Sequence, residues 1–271
     1  SFGFTYVVFK TTCVDRGKAL REGAFSRTRI PLFPPLDKEI PVQSEGPVSG
    51  VPPLISGELR ESSYLCTQII PTTFMLINEI FYSLQGEGVH MGKASIFIRL
   101  SRCNLRCSFC DTEFDSGTEM TIEELRDAIA PYPGRRIIWT GGEPTLQLTE
   151  ETVAYFKALG YHQSIETNGT RRPPAGLDYI TCSPKKEAMQ LLHRNFPDGV
   201  GEFRFPVGSP ADLPPAVSEL PPAGAYLLSP IFVGETQSEA DKAAIELCVS
   251  HILEHPEWQL SLQMHKLIHI P

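Results

Sequence analysis

The stretch Ser101-Arg102-Cys103-Asn104-Leu105-Arg106-Cys107-Ser108-Phe109-Cys110-Asp111-Thr112 decides how this chain is read. It holds three of the seven cysteines in the sequence. An odd number of thiols on loops this short leaves one unpaired and strains any disulfide, so a shared metal centre is the economical reading. A 4Fe-4S cubane as a rule takes four thiolates, and the next cysteine is the distant Cys182. One iron would then be open to bind something else. A structural zinc site is the alternative, completed from afar by Cys182 or a histidine, although such sites usually close with a second ligand pair at short spacing.

Working outward, length and composition set bounds. A chain of 271 residues is long enough for one large α/β domain or two small ones. Its hydrophobic content of 41% and charged content of 21% are ordinary for a globular protein. A net charge of -8 argues against a nucleic-acid surface, which needs a basic face for phosphate, and points to a small-molecule substrate. No apolar run approaches the ~20 residues that span a bilayer, and no basic-then-apolar leader opens the chain. Clustered cysteines suit a reducing cytoplasm better than a disulfide framework.

Residues 1–74 read differently from the remainder. Pro31, Pro34, Pro35, Pro41, Pro47, Pro52 and Pro53 interrupt any helical or strand period there, and no chemical motif is present. The expected organisation is an irregular extension over 1–74, with Cys13 and Cys66 as bystanders, followed by a catalytic domain over 75–271. Met75 is the first methionine, and the strand-like Leu76-Ile77-Asn78-Glu79-Ile80-Phe81-Tyr82 follows at once.

Beyond Met75, strand-like runs alternate with amphipathic helical ones. Ser95–Leu100 leads straight into the cysteine loop. The capping box Thr121-Ile122-Glu123-Glu124 opens a helix running to about Ala130. Arg136–Thr140 reads as a strand ended by Gly141-Gly142, and a helix from Glu150 to Leu159 stops at Gly160. Further strands are expected at Gln163–Glu166, Asp178–Cys182, Glu202–Phe205, Ala225–Leu228 and Trp258–Gln263. A long helix capped by Thr236-Gln237-Ser238-Glu239 precedes the last of them. This alternation predicts a parallel sheet flanked by helices, and about six or seven strands suit a partial, incomplete TIM-like barrel better than a closed one. A doubly wound nucleotide-binding sheet is the second architecture, but it lacks its Gly-rich phosphate loop.

An active site of such a sheet sits at the carboxyl ends of the strands, and the polar motifs fall there. They are the cysteine loop, Gly141-Gly142-Glu143-Pro144, Glu166-Thr167-Asn168-Gly169 and Ser183-Pro184-Lys185. Each taken alone also reads as a surface turn. Together, Cys-x3-Cys-x2-Cys with Phe109 before its last cysteine, and the Gly-Gly-Glu-Pro run downstream, resemble the signature of the radical S-adenosylmethionine (SAM) enzymes. Leu84-Gln85-Gly86-Glu87-Gly88, Arg99, Cys110-Asp111-Thr112 and the stretch Gln263–Pro271 narrow the likeness. Over residues 75–271 the chain resembles the 7-carboxy-7-deazaguanine synthases, radical enzymes of queuosine and deazapurine biosynthesis. It departs from them at Ser229, where many relatives carry Gln.

The resemblance implies a radical SAM core and a set of roles. Cys103, Cys107 and Cys110 would hold a 4Fe-4S cluster, and Thr112 a magnesium ion. Phe109, Gly142, Glu143, Ser183, Pro184, Lys185, Leu228, Ser229, Pro230 and Ile231 would contact S-adenosyl-L-methionine. A small-molecule pterin would meet Leu84, Gln85, Gly86, Arg99, Thr140, His265 and the carboxylate of Pro271. Arg99 alone also reads as a strand surface charge, and His265 as a structural histidine. The implied reaction is a lyase step, conversion of 6-carboxy-5,6,7,8-tetrahydropterin to 7-carboxy-7-deazaguanine with loss of ammonia. An external electron donor such as flavodoxin or ferredoxin and a homodimeric, cytoplasmic protein complete the expectation. An activating enzyme that makes a glycyl radical on a partner protein and a non-catalytic zinc-binding module are the alternatives.

Overall fold

A computed structural model gives the fold and describes residues 74–108, 110, 113–232 and 238–271. The expectation for residues 1–73 lies outside the described residues.

Among the described residues, nine strands form one sheet in the order β3-β1-β2-β4-β5-β6-β7-β8-β9. These are β1 Phe74–Leu84, β2 Ala94–Leu100, β3 Thr118–Thr121, β4 Arg136–Gly141, β5 His162–Thr167, β6 Tyr179–Cys182, β7 Val200–Val207, β8 Ala223–Pro230 and β9 Trp258–Leu260. From β2 to β9 every neighbour pair is parallel, whereas β1 pairs antiparallel with both β2 and β3. The parallel run is therefore the expected one, and the antiparallel edge is an addition. It is an open sheet rather than a closed barrel, with β3 and β9 at its edges. The chain after β9 nevertheless meets the loop after β1, since Gly88 N donates to Ser261 Oγ at 2.9 Å and Met264 N to Gly86 O at 2.9 Å.

Helices α1 Ile122–Ile129 and α2 Glu150–Ala158 bury one face against a core that includes Ile96, Ile98, Leu100, Ile137, Trp139, Val153, Phe156 and Ile165. Each such large buried side chain contributes roughly 1.5–3 kcal/mol of transfer free energy. A second cluster contains Phe203, Phe205, Leu228, Cys248 and Trp258, beside the short α3 Leu192–Asn195 and the long α4 Glu239–Glu254. Strand alternation then turns the intervening side chains to the opposite, polar face: Thr140, Glu166, Glu202 and Arg204.

The Thr121 capping box forms as read, with Glu124 as the reciprocal partner. At α4 the cap is Ser238 with Asp241, two residues later than expected, and Thr236 lies outside the described residues. Strand β9 stops at Leu260, with Ser261 N still donating to Leu228 O of β8; residues 261–263 of the expected strand have no regular structure, and a short helix, α5 Met264–Ile268, follows.

Candidate functional site

The loops after β2, β4, β5, β6 and β8 surround one cavity of about 250 Å³ at the carboxyl end of the parallel strands. Cys103, Cys107 and Cys110 line it together with Thr140, Gly142, Ser183, Lys185, Ser229, Pro230 and Ile231. None of the three is in a disulfide, and of the three Cys110 is the exposed one. Burial pushes the Cys103 and Cys107 thiols up, opposed by the Leu105 amide at Cys103 and by the Lys185 ammonium at Cys107. Protons must therefore leave these sulfurs when they ligate a metal. Lys185 itself has its pKa lowered by burial, and its Nζ donates to Ser183 O at 3.0 Å.

The cysteine loop and the Gly-Gly-Glu-Pro loop run backbone against backbone. Gly142 N donates to Leu100 O at 2.8 Å and Glu143 N to Arg102 O at 2.9 Å. A Cβ on Gly142 would overlap the Arg102 carbonyl, so this close approach demands glycine. Arg102 adopts a left-handed φ of 69°, the turn that starts the loop. Glu143 is fully buried and does not line the cavity. Its carboxylate accepts from Thr145 N at 3.1 Å, Thr145 Oγ1 at 2.6 Å, Thr167 Oγ1 at 2.8 Å and Asn168 N at 2.7 Å, tying this loop to β5. Pro184 is buried, and Leu228 belongs to the second core cluster. Phe109 and Thr112 lie outside the described residues.

Among the residues expected to meet substrate, Thr140 lines the cavity. Gln85 Nε2 donates to Glu166 Oε1 at 2.9 Å. Gly86 and His265 come together across the chain, because a Cβ on Gly86 would overlap the His265 ring. Leu84 ends β1 opposite Ala94, half-buried. Arg99 pairs with Glu79 at 3.2 Å and lies over the Phe81 ring at 5.2 Å, beside the cavity rather than in its wall. Pro271 is exposed, past the left-handed His269.

The sequence reading placed Glu87 and Glu166 within motifs but gave no site role to them or to Arg204, which together form a polar part of the cavity lining. Arg204 is buried and holds three carboxylates: Glu87 at 3.0 Å, Glu202 at 3.2 Å, and Glu166. Burial pushes the Glu166 carboxyl up to about 7, reinforced by Glu202 and Glu87 and opposed by Arg204. Burial is the larger cause, and the one guanidinium shared by three carboxylates offsets it only in part. Gln263 and Lys266 also line the cavity, with Gln263 Nε2 donating to Glu87 Oε1 at 3.1 Å. Alternation in Glu202-Phe203-Arg204-Phe205 was the available signal, since Phe203 and Phe205 face the core and the charges must face the other way.

Three cysteines lining one cavity are compatible in kind with an open iron-sulfur site, although among the described residues no three His, Cys, Asp or Glu side chains are gathered closely enough to hold a metal ion as they stand. Comparison with known proteins agrees in kind. The Radical SAM superfamily profile matches residues 97–201. A 7-carboxy-7-deazaguanine synthase of Bacteroides thetaiotaomicron is 42% identical over 194 residues, 72% of this chain and 97% of the relative. The synthase of that name from Bordetella pertussis is 36% identical over 72% of this chain and 98% of its own length. Among solved structures, QueE from Escherichia coli superposes with a TM-score of 0.55 at 25% identity, covering 71% of this chain and 95% of that one.

Proposed function

The chain belongs to the 7-carboxy-7-deazaguanine synthase family within the radical SAM superfamily, and from that premise we propose that it converts 6-carboxy-5,6,7,8-tetrahydropterin to 7-carboxy-7-deazaguanine with loss of ammonia, in queuosine and deazapurine biosynthesis. The observation that carries the reading is one cavity lined both by Cys103, Cys107 and Cys110 and by the Glu87, Glu166 and Arg204 network. A cluster and a polar heterocycle would meet there without a protein partner having to enter.

In this reading Cys103, Cys107 and Cys110 hold the 4Fe-4S cluster. Together with bound S-adenosyl-L-methionine, that cluster supplies a one-electron cleavage able to start hydrogen abstraction from an unactivated carbon. The chain's own groups bind and orient. Gly142 offers close backbone, Lys185 offers a cation for a carboxylate, and Ser183 and the wall from Ser229 to Ile231 bound the cofactor space. Glu166 and Glu87 accept from the donor-rich edge of the pterin, with Gln85 held to Glu166 and Thr140 beside them. Glu166, titrating near 7, is the wall group that can hold or release a proton as ammonia leaves. Arg99, His265 and Pro271 remain parts of the substrate side of the proposal, and Phe109 and Thr112, with its magnesium ion, parts of the cofactor side.

The catalytic unit we infer is residues 75–271, with 1–74 as an extension. An external one-electron donor of flavodoxin or ferredoxin type, a homodimeric assembly and a cytoplasmic location go with it. No described helix is long and apolar enough to cross a membrane. The test is anaerobic reconstitution with iron and sulfide, followed by chromatography of the pterin reaction. The expected product is the deazaguanine acid, formed by the parent and absent with Cys107→Ala, which also loses the brown chromophore. Product formation by Cys107→Ala, or none by a fully reconstituted parent, would refute the proposal.

A further inference from the structure

Asn168 is where the loops around the cavity are joined. Its backbone N–H donates to Glu143 Oε2 at 2.7 Å, on the loop after β4. Its carbonyl accepts from Lys185 N at 3.3 Å, on the loop after β6. The side-chain Oδ1 accepts from the Thr170 amide at 3.0 Å and from the Thr170 hydroxyl at 2.6 Å. A backbone N–H can only donate, so this contact fixes which end of the amide is oxygen. Nδ2 is thereby turned toward the cysteine loop, 3.0 Å from Asn104 Oδ1 and 4.0 Å from Cys103 Sγ. The Nδ2 of Asn104 donates in turn to Thr170 Oγ1 at 2.9 Å, which closes a ring of three side chains. Asn168 is 9% exposed and lines the cavity, and no step of the proposed reaction uses it.

We propose that Asn168 is a positioning residue that locks the cysteine loop in register and aims a fixed N–H dipole at the Cys103 sulfur, thereby raising the reduction potential of the cluster held there. The inference rests on the reading of the three thiols as cluster ligands. Adding one electron makes the cluster and its thiolates more negative, so an N–H directed at a ligating sulfur stabilises the reduced form more than the oxidised one. The same amide nitrogen is anchored on Asn104, and its oxygen on Thr170, so the donor cannot swing away. An Asp in its place would set an acceptor oxygen against both Asn104 Oδ1 and a thiolate.

The experiment is a redox titration of the reconstituted full chain, monitored by electron paramagnetic resonance without pterin, alongside iron and sulfide content. With the metal content of the parent, Asn168→Ala is expected to shift the reduction equilibrium about tenfold toward the oxidised cluster, ~59 mV for a one-electron couple. Asn168→Asp should shift it further in the same direction. Asn104→Ala, which leaves the donor at Cys103, should move it less than either. An unchanged potential in iron-replete Asn168→Asp would overturn the proposal. Should that variant fail to fold, Thr170→Val releases the anchor on Oδ1, and a potential equal to the parent's there overturns it equally. A parent that takes up no iron and sulfide would defeat the cluster reading itself, and this inference with it.

Discussion

At the scale of single residues, the ionic wall of the cavity makes a pH-dependent contribution to stability. Glu166 stands near 7 because burial, and the nearby Glu202 and Glu87, disfavour its charge more than Arg204 favours it. An unfolded glutamate titrates at ~4.3. A raised folded pKa means the proton binds more tightly in the folded state, so this stabilisation is full below ~4.3 and is lost as pH rises through 7. The loss is of order 3 kcal/mol. Glu166→Gln keeps a hydrogen-bonding side chain and leaves Arg204 its pairs with Glu87 and Glu202. Its urea midpoint should therefore fall less between pH 5 and pH 8 than the parent's, and equal slopes in the two proteins would show that Glu166 does not titrate in this range. This wall was hard to read in the sequence. Glu87 lies in a loop, Glu166 on β5 and Arg204 on β7, and only the parallel order of the strands brings them together. The cysteines were legible because their whole pattern is local, whereas Asn168 was visible only as one letter of a polar run at a strand end.

Elements set how far a local rule can be trusted. The capping box at α1 and the alternation in the parallel strands were legible because neighbours in sequence decide them. Strand β3 was missed: its four residues carry no period of their own and are held by pairing with β1. The strand expected from Trp258 to Gln263 ends early, at Leu260, one residue before the last ladder bond, Ser261 N to Leu228 O of β8, and no pattern among its neighbours in sequence marks that point. Glycines give the sharpest test at this scale. Gly142 sits where two loops touch backbone to backbone, and a carbonyl oxygen cannot rotate away as a side chain would. Gly142→Ala should weaken S-adenosyl-L-methionine binding by at least about tenfold, roughly 1.4 kcal/mol, in equilibrium dialysis. Gly160 closes α2 with a φ of 81° and has nothing within 4 Å of its Cβ position. Gly160→Ala should lower stability by about 1 kcal/mol through backbone strain alone and leave that binding unchanged. Equal binding losses in both variants would mean the effect is general destabilisation and not contact between the two loops.

For the molecule as a whole, the question is which residues the nine-stranded sheet requires. The Bacteroides thetaiotaomicron relative aligns over 97% of its own length yet covers 72% of this chain. A complete member of the family is therefore accommodated in a portion of the sequence. Strand β1 is indispensable to that portion: Met75 and Ile77 are in the core, and the strand pairs with β2 along one side and β3 along the other. The loop that follows it brings Gln85 and Glu87 to the cavity. Among the described residues, a chain starting at Met75 gives up the Phe74 pairing with Thr121, at an exposed strand end where pairing contributes little. It should be soluble, melt within a few degrees of the full chain, load iron to the same level and turn over the pterin within about twofold. A chain starting at Ala94 should not accumulate as soluble protein, because β2 becomes an unprotected edge and one wall of the cavity disappears. Thermal melts and iron content of the two truncations decide the matter. A Met75 start that precipitates, or that loads iron poorly, would show that residues 1–74 help to hold the catalytic unit together.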